Sequence, residues 1–193
     1  MRIIRMSWED IERDCRTVSK KILIDGFETE VCVAISRGGF PVARIICDFL
    51  NIASLASMKI EYYSDLDLTL PKPRLVFPLN ADVKQKKVLI VDDVADRGDS
   101  LILARSYVEE NKALETKLAT LHYKPWSKLR PDYFAHEYRS WIIYPWEVAE
   151  TERRITSSFL QSGKSTREID KLLSKIGIKD AGIRVHLKKK ADE

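Results

Sequence analysis

An α/β fold built on a parallel sheet is predicted by two features of this chain. Short apolar runs alternate with amphipathic stretches of helical period along most of its length, the pattern of strand–helix–strand units whose helices cover both faces of a sheet. Two of those runs, Val31-Cys32-Val33-Ala34-Ile35 and Val88-Leu89-Ile90-Val91, lead straight into glycine-containing turns and then into helices. Continuous branched runs of this kind suit strands buried on both faces. At 193 residues, 45% hydrophobic and 32% charged, the chain has material for one domain with a large core, and for an appendage.

Residues 2–7 read as a short edge strand. Ser7 is placed to cap a helix, with Asp10 at its third position in a capping-box variant. Trp8, Ile11, Cys15, Val18 and Ile22 then recur every three or four residues, and Gly26 closes the helix. After the strand at 31–35 comes Ser36-Arg37-Gly38-Gly39, followed by the helix FPVARIICDFLNI. Residues 57–63, SMKIEYY, read as a strand. The segment from Ser64 to Lys87 is polar and proline-containing, and reads as a long connection of the sort that forms lids. A β-hairpin whose tyrosines pack on the sheet is the competing reading.

Residues 88–100, VLIVDDVADRGDS, carry the most chemistry. Asp92 and Asp93 stand just past the apolar strand, Asp96 follows, and Gly98 precedes a helix that starts at Asp99-Ser100. Leu101, Ala104 and Val108 fall on one face of that helix. Open α/β sheets bind ligands at the C-terminal ends of their strands. A glycine turn there aims backbone N–H groups and a helix N-terminus at one point, a receptacle for an anion. A phosphate beside paired carboxylates indicates a sugar phosphate, with the acids on hydroxyls or Mg²⁺. The plainer alternative is a solvated loop with Asp99 or Ser100 as helix cap.

Further on, residues 115–122 read as a strand and Trp141-Ile142-Ile143-Tyr144 as the final core strand. Residues 151–161 read as a helix broken by Gly163. Ser165-Thr166-Arg167-Glu168 is a capping box opening a second helix with Ile169, Leu172, Leu173 and Ile176 on one face. A basic stretch, GIRVHLKKK, follows. Residues 151–193 hold 11 Lys/Arg against 6 Asp/Glu, a net of +5, whereas residues 1–150 hold 22 against 23. The chain divides into 1–150 as the main domain and 151–193 as a helical extension, and the extension carries all of the basic excess. Contact between that extension and nucleic acid is not expected, because most such faces are merely solvated.

No apolar run approaches membrane-spanning length and the N-terminus lacks a signal-like apolar segment. Cys15, Cys32 and Cys47 lie in apolar patterns and read as reduced core residues, which points to the cytoplasm. His122, His136 and His186 show no metal-ligand spacing.

The 88–100 segment resembles the 5-phosphoribosyl-1-pyrophosphate (PRPP) motif of the type I phosphoribosyltransferases: an apolar strand, two acids, two spacers, then Asp-Thr-Gly-x-Thr. Arg97 and Ser100 replace the two threonines. Ser100 keeps the hydroxyl, and Arg97 brings a charge that can meet phosphate. Asp99 should repel a dianionic phosphate unless its side chain turns away. The Ser36-Arg37-Gly38-Gly39 loop is similar to the pyrophosphate loop of the purine enzymes, the xanthine-guanine ones especially, whose peptide at this point is cis. The likeness extends from about residue 2 to residue 147.

It implies a phosphoribosyltransferase-type, Rossmann-like parallel sheet, with a small hood from residues 2–7 and 124–147 and a C-terminal helical appendage. It further implies roles. Asp92, Asp93, Arg97, Gly98, Asp99 and Ser100 would bind the ribose phosphate of PRPP. Ser36, Arg37, Gly38 and Gly39 would hold pyrophosphate, and Asp96 would be the general base at purine N7. Lys124 would meet the purine 6-oxygen, Trp141 would stack on the base, and the Ile142 backbone would read the 2-position. Tyr63 would sit on the lid, and Asp92, Asp93 and Glu147 would hold Mg²⁺. The plain readings are an exposed lysine at 124, a core tryptophan at 141 and a helix-opening acid at 147.

The implied activity is transfer of 5-phosphoribosyl from PRPP to a purine in nucleotide salvage, by a cytoplasmic homo-oligomer, dimer or tetramer. Lys124 and Asp96 favour hypoxanthine, guanine or xanthine over adenine, because an ammonium facing adenine's amino group leaves a buried donor unpaired. Adenine phosphoribosyltransferase remains the alternative within the enzyme class. A PRPP-sensing regulator that binds nucleic acid is the alternative outside it.

Overall fold

A computed structural model of the chain describes residues 3–63 and 72–178. The basic stretch GIRVHLKKK and most of the tip of the expected lid lie outside these residues. Two compact units are present, residues 9–139 and residues 1–8 with 140–193. The sequence-based boundary at 150 falls inside a helix of the second unit.

The larger unit is a six-stranded sheet. Its strands are β2 (Val31–Ser36), β3 (Leu55–Tyr63), β4 (Lys72–Phe77), β5 (Lys87–Ala95), β6 (Glu115–Tyr123) and β7 (Tyr133–Glu137), in the order β4-β3-β2-β5-β6-β7. All pairings are parallel except β3 with β4. From β2 the chain moves outward to β3. From β5 it moves the other way, to β6 and β7. The C-terminal ends of β2 and β5 therefore flank the point where the strand order reverses, the place where sheets of this class open a crevice for ligands.

Helices α1 (Trp8–Asp25), α2 (Gly39–Leu50) and α3 (Asp99–Glu110) flank this sheet. The alternation of side chains explains the layers. Val31 and Val33 of β2, Val88 and Ile90 of β5, and Leu118 of β6 are buried in one cluster with Leu101, Ala104 and Val108 of α3. The intervening residues Cys32, Ala34, Leu89 and Val91 are equally buried, and α2 packs on β2 and β5. Three cysteines expected in the core are there, buried and unbridged.

Two strands differ from expectation. The polar connection contains β4, antiparallel to β3 with Tyr62 opposite Pro73 and Tyr63 opposite Lys72. A proline is tolerated because β4 is an edge strand. The β-hairpin alternative was thus the better description of residues 57–77. β7 adds a sixth strand at the other edge, so residues 124–139 belong to the main sheet's unit and not to a hood. The acids also do not lie past the end of β5. The strand continues to Ala95 because β6 runs alongside it, pairing Asp92 with Thr120 and Val94 with His122.

At β6 and β7 the sheet is pinned to α1 by polar contacts. His122 and Asp14 are both fully buried, with Nε2 to Oδ2 at 3.1 Å. Asp14 Oδ1 also meets Arg13 Nε and His136 Nε2, each at 3.3 Å. Tyr133 of β7 donates its hydroxyl to Asp25 at 2.5 Å.

In the second unit β1 (Ile3–Arg5) runs parallel to β8 (Trp141–Ile143), Ile4 beside Ile142. Helices α4 (Val148–Gln161) and α5 (Thr166–Lys175) complete it. Ile143, Ile155, Ile169, Leu173 and Ile178 form its buried cluster, with Ile3 packed against them. The expected capping box is present: Ser165 Oγ accepts the Glu168 amide, and Glu168 Oε2 accepts the Ser165 amide at 2.9 Å. Arg5 donates to the Gly177 carbonyl. The C-terminal helices thus supply much of the buried cluster of the unit that contains β1 and β8.

Truncating Leu173 to alanine should therefore cost about 2–5 kcal/mol, read by chemical denaturation; an unchanged midpoint would mean that the tail is not a structural part of its unit. A second expectation concerns pH. Burial holds the His122 imidazole below its ordinary pKa, with Asp14 opposing. Above about pH 6.5 the ring is neutral folded and unfolded alike. As pH falls below that value the unfolded chain takes up the proton first, so stability is lost. His122→Gln, which keeps a donor for Asp14, should flatten the decline in stability between pH 7.5 and 5.5.

Candidate active site

The 36–39 loop meets β5 at the switch point because two glycines leave room for the Val91 carbonyl and the Asp93 carboxylate. A Cβ on Gly38 would lie 2.1 Å from Asp93 Oδ2, and one on Gly39 would lie 2.4 Å from the Val91 carbonyl oxygen. Only glycine lets the 36–39 loop close on the end of β5. The Ser36–Arg37 peptide is cis, as the resemblance implied. Ser36 Oγ donates to the Met58 carbonyl at 3.1 Å, tying the loop to β3. Arg37 is exposed.

Asp93 is buried against that loop, and Asp92 beside it is half-buried. Asp92 Oδ1 accepts the Asp93 amide at 3.0 Å. The Asp93 carboxylate against the 36–39 loop and the neighbouring Asp92 supply the ligand type that fits Mg²⁺, a hard cation commonly held by one or two carboxylates with substrate phosphates supplying further ligands.

Beyond β5 the chain turns at Gly98, whose φ of +84° is left-handed, and α3 begins at Asp99 with no side-chain cap. A glycine turn leading into an uncapped helix start leaves backbone N–H groups without a side-chain acceptor, as an anion site requires. Asp99 does not point its charge into the cradle unopposed. Its Oδ2 lies 3.2 Å from Arg97 Nε and its Oδ1 lies 2.6 Å from Lys128 Nζ. The Asp99 carboxylate is thus paired with two cations. Ser100 Oγ reaches the Tyr62 hydroxyl at 3.4 Å, and the Arg97 guanidinium lies 5.7 Å from the Tyr62 ring centre. Tyr62 is thus the described tyrosine that touches this loop; Tyr63 ends β3 opposite Lys72.

Residues 124–129 are zipped onto the same loop. The Lys124 amide donates to the Ala95 carbonyl and the Lys128 amide to the Arg97 carbonyl, both at 3.0 Å. The Ser127 amide closes a tight turn on the Lys124 carbonyl at 2.9 Å. A Cβ on Gly98 would collide with Ser127 Oγ at 2.6 Å. Lys124 is not the exposed lysine of the plain reading: the residue is 5% exposed. Burial lowers its pKa, and the nearby Asp96 charge opposes that. Asp96 itself is exposed, and its Oδ1 accepts the Trp126 indole N–H at 2.8 Å. Sequence reasoning gave Trp126 no role. Its one available signal was a tryptophan directly after Lys124-Pro125, in a turn with no core periodicity.

The remaining expected residues lie in the other unit. Trp141 is partly buried, with the Arg154 guanidinium 4.9 Å from its ring centre. Ile142 is buried in β8. Glu147 is the residue before α4, and its carbonyl accepts the Thr151 amide at 2.8 Å.

Comparison with known proteins agrees with this geometry. Residues 7–153 match the phosphoribosyl transferase domain model. The chain is 30% identical to a purine phosphoribosyltransferase from Pyrococcus horikoshii, whose crystal structure superposes with a TM-score of 0.68 over 76% of this chain and 94% of that one. It is 27% identical over 146 residues to the xanthine-guanine phosphoribosyltransferase of Gluconobacter oxydans, covering 75% of this chain and 84% of that protein. It is 28% identical over 148 residues to the corresponding protein of Nitratidesulfovibrio vulgaris, covering 76% and 85%. With a reversed-order sheet, two glycine-bearing loops at its switch point and this match across three quarters of its length, the chain belongs to the phosphoribosyl transferase domain family.

Proposed function

We propose that this phosphoribosyltransferase joins a 6-oxopurine to PRPP, giving the nucleoside monophosphate and pyrophosphate in purine salvage, and that it does so as a homo-oligomer. The observation that carries the reading is the pairing of Asp96 with Lys124. Asp96 is exposed and Lys124 is buried, the Asp96 charge acts on the Lys124 ammonium, and the Lys124 amide donates to the Ala95 carbonyl next to Asp96. Purine N7 and the 6-oxygen are neighbours on one edge of the base, so an acceptor and a donor held together match that edge.

In this reading the N–H groups around residues 97–100 and the Ser100 hydroxyl hold the 5-phosphate, while Arg97 and Lys128 balance its charge. Arg37 and the Gly38-Gly39 backbone hold pyrophosphate. Asp92 and Asp93 hold ribose hydroxyls and, with Glu147, Mg²⁺, whose charge would offset that of pyrophosphate. Fixing both substrates makes attack at the ribose carbon effectively intramolecular. The transition state is oxocarbenium-like, and the two carboxylates stabilise the positive charge that builds on the ribose. Asp96 takes the proton from N7 as the N9–ribose bond forms. Trp141 stacks on the base, the Ile142 backbone reads its 2-position, and Tyr63, the last residue of β3, leads into the segment that closes over the reaction.

The deciding experiment is turnover with PRPP and Mg²⁺ on adenine, hypoxanthine, guanine and xanthine side by side. A 6-oxopurine should give the highest kcat/KM. Preference for adenine would reassign the base, and no turnover on any of the four would remove the enzymatic reading. Asp96→Asn should lower kcat by about 10²–10⁴-fold with little change in KM for PRPP. Wild-type turnover by that variant would take Asp96 out of the chemistry.

A further inference from the structure

We infer that Trp126 is a positioning residue that sets both the orientation of Asp96 and its spacing from Lys124; the inference rests on the phosphoribosyl-transfer reading above. Trp126 is 52% exposed, so it is not held by core packing. Its single polar atom is spent on Asp96: the indole Nε1–H donates to Oδ1 at 2.8 Å. Indole can only donate, so the contact selects the carboxylate oxygen acceptor and fixes one of the two oxygens. Oδ2 is left to meet the substrate. An exposed aspartate would otherwise sample several rotamers, and a base that must lie within hydrogen-bond reach of N7 loses rate with each unproductive one.

The same ring also meets the other half of the proposed purine reader. Lys124 Nζ lies 5.7 Å from the Trp126 ring centre, within range of a cation–π contact. One rigid side chain therefore touches the acceptor through its edge and the donor through its ring. Its own placement is firm, because the Lys124–Ser127 turn holds it and the Ala95 and Arg97 carbonyls pin that turn to the loop bearing Asp96. The turn cannot slide toward Gly98, where Ser127 already occupies the space a Cβ would need.

The test is a double-mutant cycle with the full chain, using PRPP and the best purine of the four. Trp126→Phe keeps the ring and deletes the N–H. It should lower kcat about tenfold while both KM values stay within about twofold. In an Asp96→Ala background, measured by single turnover, the same change should have no further effect. Trp126→His, which restores an N–H donor, should recover part of the loss. A second readout needs no activity: the indole N–H proton resonance absent from Trp126→Phe should move upfield in Asp96→Ala. The inference is overturned by a wild-type kcat in Trp126→Phe, by a loss confined to the purine KM, or by an equal loss in both backgrounds. Absence of turnover by the wild-type chain would instead defeat the functional reading, while the resonance shift would still report on the contact itself.

Discussion

The whole site depends on one close approach, that of the 36–39 loop to the end of β5. Backbone meets backbone there, and the Asp93 carboxylate lies where any side chain at position 38 would stand. A strand end that brings acids and a loop that brings N–H groups have opposite electrostatic characters. Placed a residue's width apart, they can grip one ligand that carries both hydroxyls and phosphates. The sheet order makes the approach possible, since β2 and β5 are neighbours whose chains depart in opposite directions. The packed strands beneath, fully buried from Val88 to Val91, make it rigid.

Charge balance around the second loop follows a related logic. Asp99 brings a negative charge to the start of α3, and the structure answers with two cations on one carboxylate. The pair Arg97 and Lys128 comes from segments 31 residues apart, joined by the amide-to-carbonyl contact between those same two residues. The 124–129 turn is thus built with the phosphate-type loop rather than beside it. The segment proposed to read the base is set by the segment proposed to hold the sugar.

Much of this was legible from the chain alone, for identifiable reasons. Continuous apolar runs ending in acids or glycine announce buried parallel strands, and Val31–Ile35 and Val88–Val91 behaved accordingly. The capping box at Ser165 and Glu168 is a local interaction, and local interactions are written in adjacent residues. The failures lie where long-range pairing decides. β4 holds a proline and two basic residues, and becomes a strand only because β3 offers it an edge. β7 follows a proline-rich turn and exists because β6 has a free side. The Trp126–Asp96 and His122–Asp14 contacts span 30 and 108 positions. No periodicity links such partners, although Trp126 in an exposed turn was the visible oddity.

The parallel pairing of β1 with β8 has a consequence for how the molecule is made. Ile3 finds its partner at Trp141, so a ribosome must add well over a hundred residues before the first strand has anything to pair with. The six strands between can close on themselves earlier, since their order uses only residues 31–137. Synthesis from the amino end therefore leaves a short apolar segment, Ile3-Ile4, waiting in the open while the sheet matures. Its brevity is then an advantage: three residues are too few to recruit a wrong neighbour during that wait.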